Sequence, residues 1–511
     1  MLNLSVRGKK ACLCGLALGL LAAGAAPVQA ASLTTVTAFD LHYTNTGVVE
    51  GTGLNQGYLY GTIYNTSLSY GGAIYRVPLT GGEPETVYQF SPETDDGYSP
   101  RSTLLVSSDG NFYGTTYYGP RLGTSTVAGT GTIYRVAQDG SSFATLHEFT
   151  AVSAYSLVTG NAKNADGIYP TRALVEDDSY LYGVTALGGE NGTGVVFSLR
   201  KADNLLTVLH AFAEVKSSGV STEIDANGVG EGAFPSAALT LGTDGRLYGV
   251  TSGGGANLKT SSSGTTSGSG TIFSVNTDGS DFRTLYNFSE LDDSADISDN
   301  GDGAQPAGRL VEVQPGIFVG TASDGGTPNE TGVDGYGTIF EYNTGTEALT
   351  TLYAFDNDTG ATPTGDLVLD DTSGLVYGIA SVGSGTTDMA SAYGNLFSID
   401  PQTAEFTLVH PFTFAEGSSL TGALTIASNG DLYGTSTYGG LCTSYSAAGY
   451  GGVYRYSIGT NAEESDTYSN CTKSKSSSGS GSMSGGWLLL LAALGMAPPV
   501  RRRWLALSNR H

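Results

Sequence analysis

Hydrophobic and polar positions alternate in short bursts along most of this chain and never settle into a helical period. Runs of about five residues rich in Val, Ile, Thr, Tyr and Phe, bounded by Asp-Gly or Asn-Gly pairs, predict short antiparallel strands joined by tight turns. One burst recurs seven times: Leu59-Tyr60-Gly61-Thr62, Phe112-Tyr113-Gly114-Thr115, Leu181-Tyr182-Gly183-Val184, Leu247-Tyr248-Gly249-Val250, Phe318-Val319-Gly320-Thr321, Val376-Tyr377-Gly378-Ile379 and Leu432-Tyr433-Gly434-Thr435. Each copy is preceded by a short apolar segment such as Leu104-Leu105-Val106. It is followed, past a Gly-rich loop, by a segment of the type Gly131-Thr132-Ile133-Tyr134 and then by one closing on Phe, such as Thr145-Leu146-His147-Glu148-Phe149.

Four strands, A to D, repeated seven times predict an all-β, seven-bladed β-propeller over 31–458. The last copy stops after its C strand, Gly452 to Ile458, whereas Thr35-Val36-Thr37-Ala38-Phe39 stands before the first copy as an orphan D strand. Pairing the two closes the ring with one composite blade, and an open solenoid with polar caps is the arrangement this excludes. Trp-Asp signatures are missing, since both Trp residues, Trp487 and Trp504, lie near the C-terminus. The repeats resemble the GloVer tandem-repeat family of bacterial exported proteins. The likeness rests on the Leu-Tyr-Gly-Thr seed, the Gly188-Gly189, Gly253-Gly254 and Gly325-Gly326 loops, Gly-Thr-Ile-Phe, and Asp-Gly-x-x-Pro before strand A (Asp96 to Pro100, Asp166 to Pro170, Asp302 to Pro306). It implies a surface protein with a varied anchor and implies no reaction.

The two ends read as addresses. Arg7, Lys9 and Lys10, the apolar run from Ala11 to Val28, and Val28-Gln29-Ala30 form a secretory signal in 1–30, with cleavage expected between Ala30 and Ala31. At the other end, 459–484 is a Ser/Gly-rich spacer, and 485–511 carries Gly485-Gly486, an apolar stretch and Arg501-Arg502-Arg503. This tail resembles the GlyGly-CTERM sorting signal of Gram-negative bacteria. The resemblance implies processing near Gly485 and Gly486 by a C-terminal sorting protease after a membrane-held stage, then transfer to the cell surface or outer membrane. The alternative is a retained membrane anchor.

Composition sharpens the picture in two places. The chain holds 75 Gly among 511 residues, without a collagen period, and 39% hydrophobic residues, which excludes a disordered chain. Of 23 Lys and Arg, three lie in 1–30 and four in 487–511, where no acidic residue occurs; the intervening part therefore sets 16 basic residues against 48 acidic ones. Such a surface repels nucleic acid and anionic lipid. Cys442 and Cys471, the two Cys outside the signal, are expected to pair as a disulfide in an oxidising compartment.

Candidate chemistry is sparse. His147, His210 and His410 share one repeat column with Tyr88, Tyr286 and Tyr353, and a column spread around a ring cannot gather on one metal, so these are read as structural. Tyr60, Tyr113, Tyr182, Tyr248, Tyr377 and Tyr433 are expected to pack, each hydroxyl finding a polar partner between blades, instead of forming a sugar-binding ring. Asp292, Asp293, Asp296, Asp299 and Asp302 crowd one loop that is either solvated or a Ca²⁺ site without EF-hand spacing. No catalytic residue and no cofactor stand out. The long connections all run from D to A or from B to C and so share one face, a mark of a binding face in repeat proteins. The expectation is a non-enzymatic, surface-attached binding or adhesion module with a glycan or protein ligand on that face. Rivals are a propeller-type polysaccharide lyase or glycoside hydrolase with carboxylates at the channel mouth, and a passive surface-layer component.

Overall fold

The structure is a computed structural model. It describes residues 33–39, 44, 46–64, 71–120, 130–152, 162–214, 230–256, 258–260, 266–290, 300–326, 335–356, 358–383, 393–413, 416–420, 422–439 and 451–458. Seven antiparallel sheets arranged as a closed β-propeller correspond to blades 1 to 7 at 49–89, 98–148, 168–211, 232–287, 300–354, 361–411 and 425–456. In blade 3, for example, Val175–Glu176, Tyr180–Thr185, Val195–Arg200 and Leu206–Ala211 lie in sequence order from the channel outward. A further hairpin, Leu258–Thr260 with Thr266–Gly268, stands off blade 4 between its B and C strands.

The ring closes as the orphan strand predicts. Leu33–Ala38 pairs antiparallel with Gly452–Tyr456, Leu33 opposite Tyr456 and Ala38 opposite Gly452, and completes blade 7. Blade faces are apolar and meet their neighbours in shared clusters: Tyr60, Ile74 and Phe90 of blade 1 pack with Leu104, Phe112 and Tyr134 of blade 2. The low charge of the chain follows from this, because each sheet is covered on both faces.

A second contact between blades is made of backbone. The Gly that opens strand C has a positive φ and lies against the Pro of the next blade's A strand; a Cβ on Gly270 would fall 2.7 Å from Pro306 Cδ and 2.3 Å from Thr251 O. The residue before that Pro donates its N–H to the residue before that Gly, as in Phe234 to Thr193 O at 2.9 Å and Gln305 to Ser269 O at 2.8 Å. Gly-Thr-Ile-Phe and Asp-Gly-x-x-Pro are thus the two halves of one clasp.

Cys442 and Cys471 lie outside the described residues, as do the two Cys of the signal; among the described residues the ends of the ring are joined by the hydrogen bonds of Leu33–Ala38. The tyrosine column is buried as expected, but three of its hydroxyls turn to their own blade: Tyr113, Tyr182 and Tyr248 donate to Asp109, Asp177 and Asp244 in the preceding A-to-B turns at 2.8, 2.7 and 2.7 Å, whereas Tyr433 of blade 7 makes the expected contact between blades, to Leu79 O of blade 1 at 3.4 Å. Burial foremost, with the Asp109 bond, raises the Tyr113 hydroxyl to about 12. Ala30, Ala31, Gly485 and Gly486 lie outside the described residues.

Candidate functional site at the channel mouth

In blades 2 to 6 the innermost strand begins at the D-to-A connection, on the loop-rich face, with a segment of one design: a residue with positive φ, then Pro, three residues, and a buried Leu; blade 7 keeps the pattern with Leu420 in place of Pro. Examples are Tyr169-Pro170-Thr171-Arg172-Ala173-Leu174 and Gln305-Pro306-Ala307-Gly308-Arg309-Leu310. Pro and Leu anchor in the blade interfaces, and the residues between them line the channel. At those positions the described blades carry Arg101, Arg172 and Arg309 but a single carboxylate, Asp366.

Arg172, on blade 3, is accessible to solvent yet enclosed by the channel wall. Desolvation pulls its guanidinium below the ordinary range, and Asp366, three blades further on, opposes that pull across the channel. Asp366 Oδ1 accepts the backbone N–H of Arg309 at 2.8 Å. Nearer the mouth, Arg101 is held between the rings of Tyr64 and Tyr117, 4.6 and 4.5 Å from their centroids. Tyr117 stacks on Tyr169 with centroids 4.1 Å apart and planes 9° apart. Burial, chiefly, raises the Tyr169 hydroxyl to about 12 and lifts Tyr117 further, so both are protonated donors at neutral pH.

Of the other described Arg residues, all but Arg135, which lies beside the Tyr113 hydroxyl, behave differently. Arg76, Arg200, Arg246, Arg283 and Arg455 are in ion pairs with Glu85, Asp203, Asp281 and Asp431 away from the channel. Among the described residues Arg101, Arg172 and Arg309 form none. An acidic protein has left three guanidinium groups without carboxylate partners around one opening.

The histidine column is structural, as its periodicity implies. His147 Nε2 meets Asp166 at 3.0 Å, His410 lies 3.3 Å from Glu416, and His210 pairs with Glu231; where the column is Tyr, Tyr88 and Tyr286 donate to Asp96 and Asp302 at 2.7 and 2.8 Å. In blades 1 to 4 strand D is therefore latched to the D-to-A connection by a polar bond from this column. Burial raises the Asp166 carboxyl, but bonds from His147 and Thr150 outweigh it and hold the group below its ordinary value. Asp292, Asp293, Asp296 and Asp299 fall outside the described residues, and Asp302 accepts from Tyr286 and Ser289 through Oδ2, while its buried Oδ1 has no hydrogen-bond partner among the described residues. Among the described residues no cluster of three or more His, Cys, Asp or Glu is placed to hold a metal. Sequence reasoning missed the three Arg because they occupy three different offsets within the innermost strand.

A family model, the Gloeobacter/Verrucomicrobia repeat, matches residues 151–326, 215–389 and 259–448, which together span more than half of the chain. This chain belongs to the Gloeobacter/Verrucomicrobia repeat family. No curated protein sequence matches it. Solved structures similar to this repeat protein include an oligogalacturonate lyase from Vibrio parahaemolyticus (9% identity, 84% of this chain and 98% of that one, TM-score 0.46). Another is a periplasmic gluconolactonase from Pseudomonas aeruginosa (14% identity, 78% and 98%, TM-score 0.42). A third is the extracellular domain of a hybrid two-component system from B. thetaiotaomicron (9% identity, 83% and 39%, TM-score 0.46). Two of these neighbours are named as enzymes, a lyase and a lactonase, where a non-enzymatic binding or adhesion module was expected of this chain. At such identities the likeness concerns the fold and assigns no reaction.

Proposed function

We propose that this protein is an exported enzyme that cleaves an acidic glycan at the mouth of its channel, by elimination. The observation that carries the reading is the gathering of Arg101, Arg172 and Arg309, unpaired by carboxylates among the described residues, in a chain of 48 acidic and 23 basic residues. Guanidinium groups recognise carboxylates through paired hydrogen bonds, and desolvation strengthens that attraction. A sugar carboxylate held by Arg101 or Arg172 becomes a better electron sink, which acidifies the adjacent ring carbon. Loss of that proton forms a carbon–carbon double bond as the neighbouring glycosidic oxygen leaves. Asp366 is the proton acceptor offered by the channel, and the protonated hydroxyls of Tyr117 and Tyr169 are the donors at its mouth. Hydrolysis by two opposed carboxylates fits less well, since such enzymes place a pair about 5–10 Å apart and the described channel positions offer Asp366 alone.

The exported protein, incubated with polygalacturonate, alginate and a neutral glucan, should yield unsaturated uronate ends from an acidic polymer and nothing from the glucan. Arg172→Met should abolish the product. Reducing ends without unsaturation would sink the elimination. The order Gly485-Gly486, apolar stretch and Arg501 to Arg503 further supports a sorting step that places the enzyme on the surface of a Gram-negative cell; mass spectrometry of the mature C-terminus tests it.

A further inference from the structure

Among the described residues, eleven non-glycine residues have positive φ, and they fall into two repeat columns. Ser142, Asn204, Asp281, Glu347 and Ala404 occupy C-to-D turns, where a left-handed residue completes a hairpin. The other six are Ser99, Tyr169, Phe234, Gln305, Thr362 and Ser419, with φ from 53° to 62°, each at the loop-rich end of an innermost strand. No turn requires a side chain there, and β-branched or bulky residues are true outliers in this region.

The contrast with the rest of the chain is sharp. At 31 other positive-φ positions this protein uses Gly, which adopts that conformation without a Cβ penalty. In this column it never does so in blades 2 to 7, although the adjoining Pro and Leu positions scarcely vary. The conformation is common to all six while the side chain varies, with Ser alone occurring twice. The backbone is pinned on both sides: the N–H by the neighbouring blade, as described, and the carbonyl by strand B hydroxyls, Ser252 to Phe234, Ser323 to Gln305 and Ser381 to Thr362, at 3.2, 3.0 and 2.8 Å. Tyr169, Phe234, Gln305, Thr362 and Ser419 are all partly exposed, although most of their immediate neighbours along the strand are buried.

We propose that this strained column is a ring of substrate-reading side chains around the channel mouth, an inference that rests on the acidic-glycan reading. Its two arcs differ in chemistry. Blades 3 and 4 present Tyr169, stacked on Tyr117 beside Arg101, and Phe234, aromatic groups for the apolar face of a sugar ring beside its carboxylate. Blades 5 to 7 present Gln305, Thr362 and Ser419, groups that hydrogen-bond sugar hydroxyls. The glycan lies across the opening, stacked on one arc and read by the other, and the fixed backbone holds each side chain in place before the ligand arrives.

The test compares Phe234→Gly with Phe234→Ala in the whole exported protein, reading thermal unfolding and steady-state cleavage of polygalacturonate and alginate. Glycine relieves the strain and removes the ring, so Tm should rise while KM climbs about tenfold, the loss of one aromatic contact. Alanine removes the ring and keeps the strain, so KM should climb equally with no gain in Tm. Gln305→Gly should raise Tm and change the preference between the two polymers, whose hydroxyl configurations differ. Active wild-type protein whose glycine variants keep KM and preference would overturn the ring alone. Glycine variants that melt below wild type would assign these side chains to packing. A wild type that cleaves neither polymer would overturn the ring and the function together.

Discussion

Asp166 shows how a single carboxylate serves this fold. It takes the His147 ring, the Thr150 N–H and the Thr150 hydroxyl at the seam between blades 2 and 3, with a side chain 9% exposed. Asp166→Ala removes the charged acceptor of those partly buried bonds and should cost about 1–3 kcal/mol, measured by urea unfolding at neutral pH. Because the folded carboxyl titrates below its unfolded value, its contribution is complete above the ordinary carboxylate range and is lost as pH falls through the lowered value. The gap between wild type and Asp166→Asn should therefore narrow from about pH 7 to about pH 3. Arg101→Lys should leave unfolding nearly unchanged and lower kcat/KM at least about tenfold, because an ammonium offers neither a planar face to Tyr64 and Tyr117 nor a forked pair of donors. The structural role of the histidines could be read in the sequence, since residues in one column must lie one blade apart. Their partners could not, because the Asp-Gly motif meets strand D only after the chain has turned into the next blade.

At the level of strands, the aromatic bursts and turn pairs located nearly every B, C and D strand. The A strands were less legible. Several are split into two short segments, Gly232–Pro235 and Thr240–Leu241 in blade 4 for instance, because the left-handed residue and the Pro that follows interrupt the ladder. Those interruptions place the channel groups, so the part of the pattern that was hardest to read is the part that builds the site. The Gly-Pro clasp explains why Gly opens strand C. Gly270→Ala places a Cβ within 2.3 Å of Thr251 O at φ +93° and should destabilise the protein by about 3 kcal/mol or more, seen as a lower denaturation midpoint.

For the molecule as a whole, the excess of acid over base sets the terms on which an anionic polymer can approach. Repulsion over the outside opposes encounter, while the three channel Arg attract at short range. Moderate salt screens the first more than the second, because the Debye length is about 8–10 Å near physiological ionic strength. Cleavage of an acidic glycan at low substrate should therefore quicken as salt rises from very dilute buffer, the reverse of the usual trend for attraction between opposite charges; a monotonic fall would show that the outer charge is irrelevant to approach.

The pairing of Leu33–Ala38 with Gly452–Tyr456 also imposes an order in time. The strand that emerges first from an export channel needs a partner that emerges last, so it waits as an open edge while six blades form behind it. A translocating chain is consequently a coil of finished blades with a loose end at its front, exposed to proteases and to other copies of itself until the final repeat appears. Completion of the ring certifies that the last repeat has arrived.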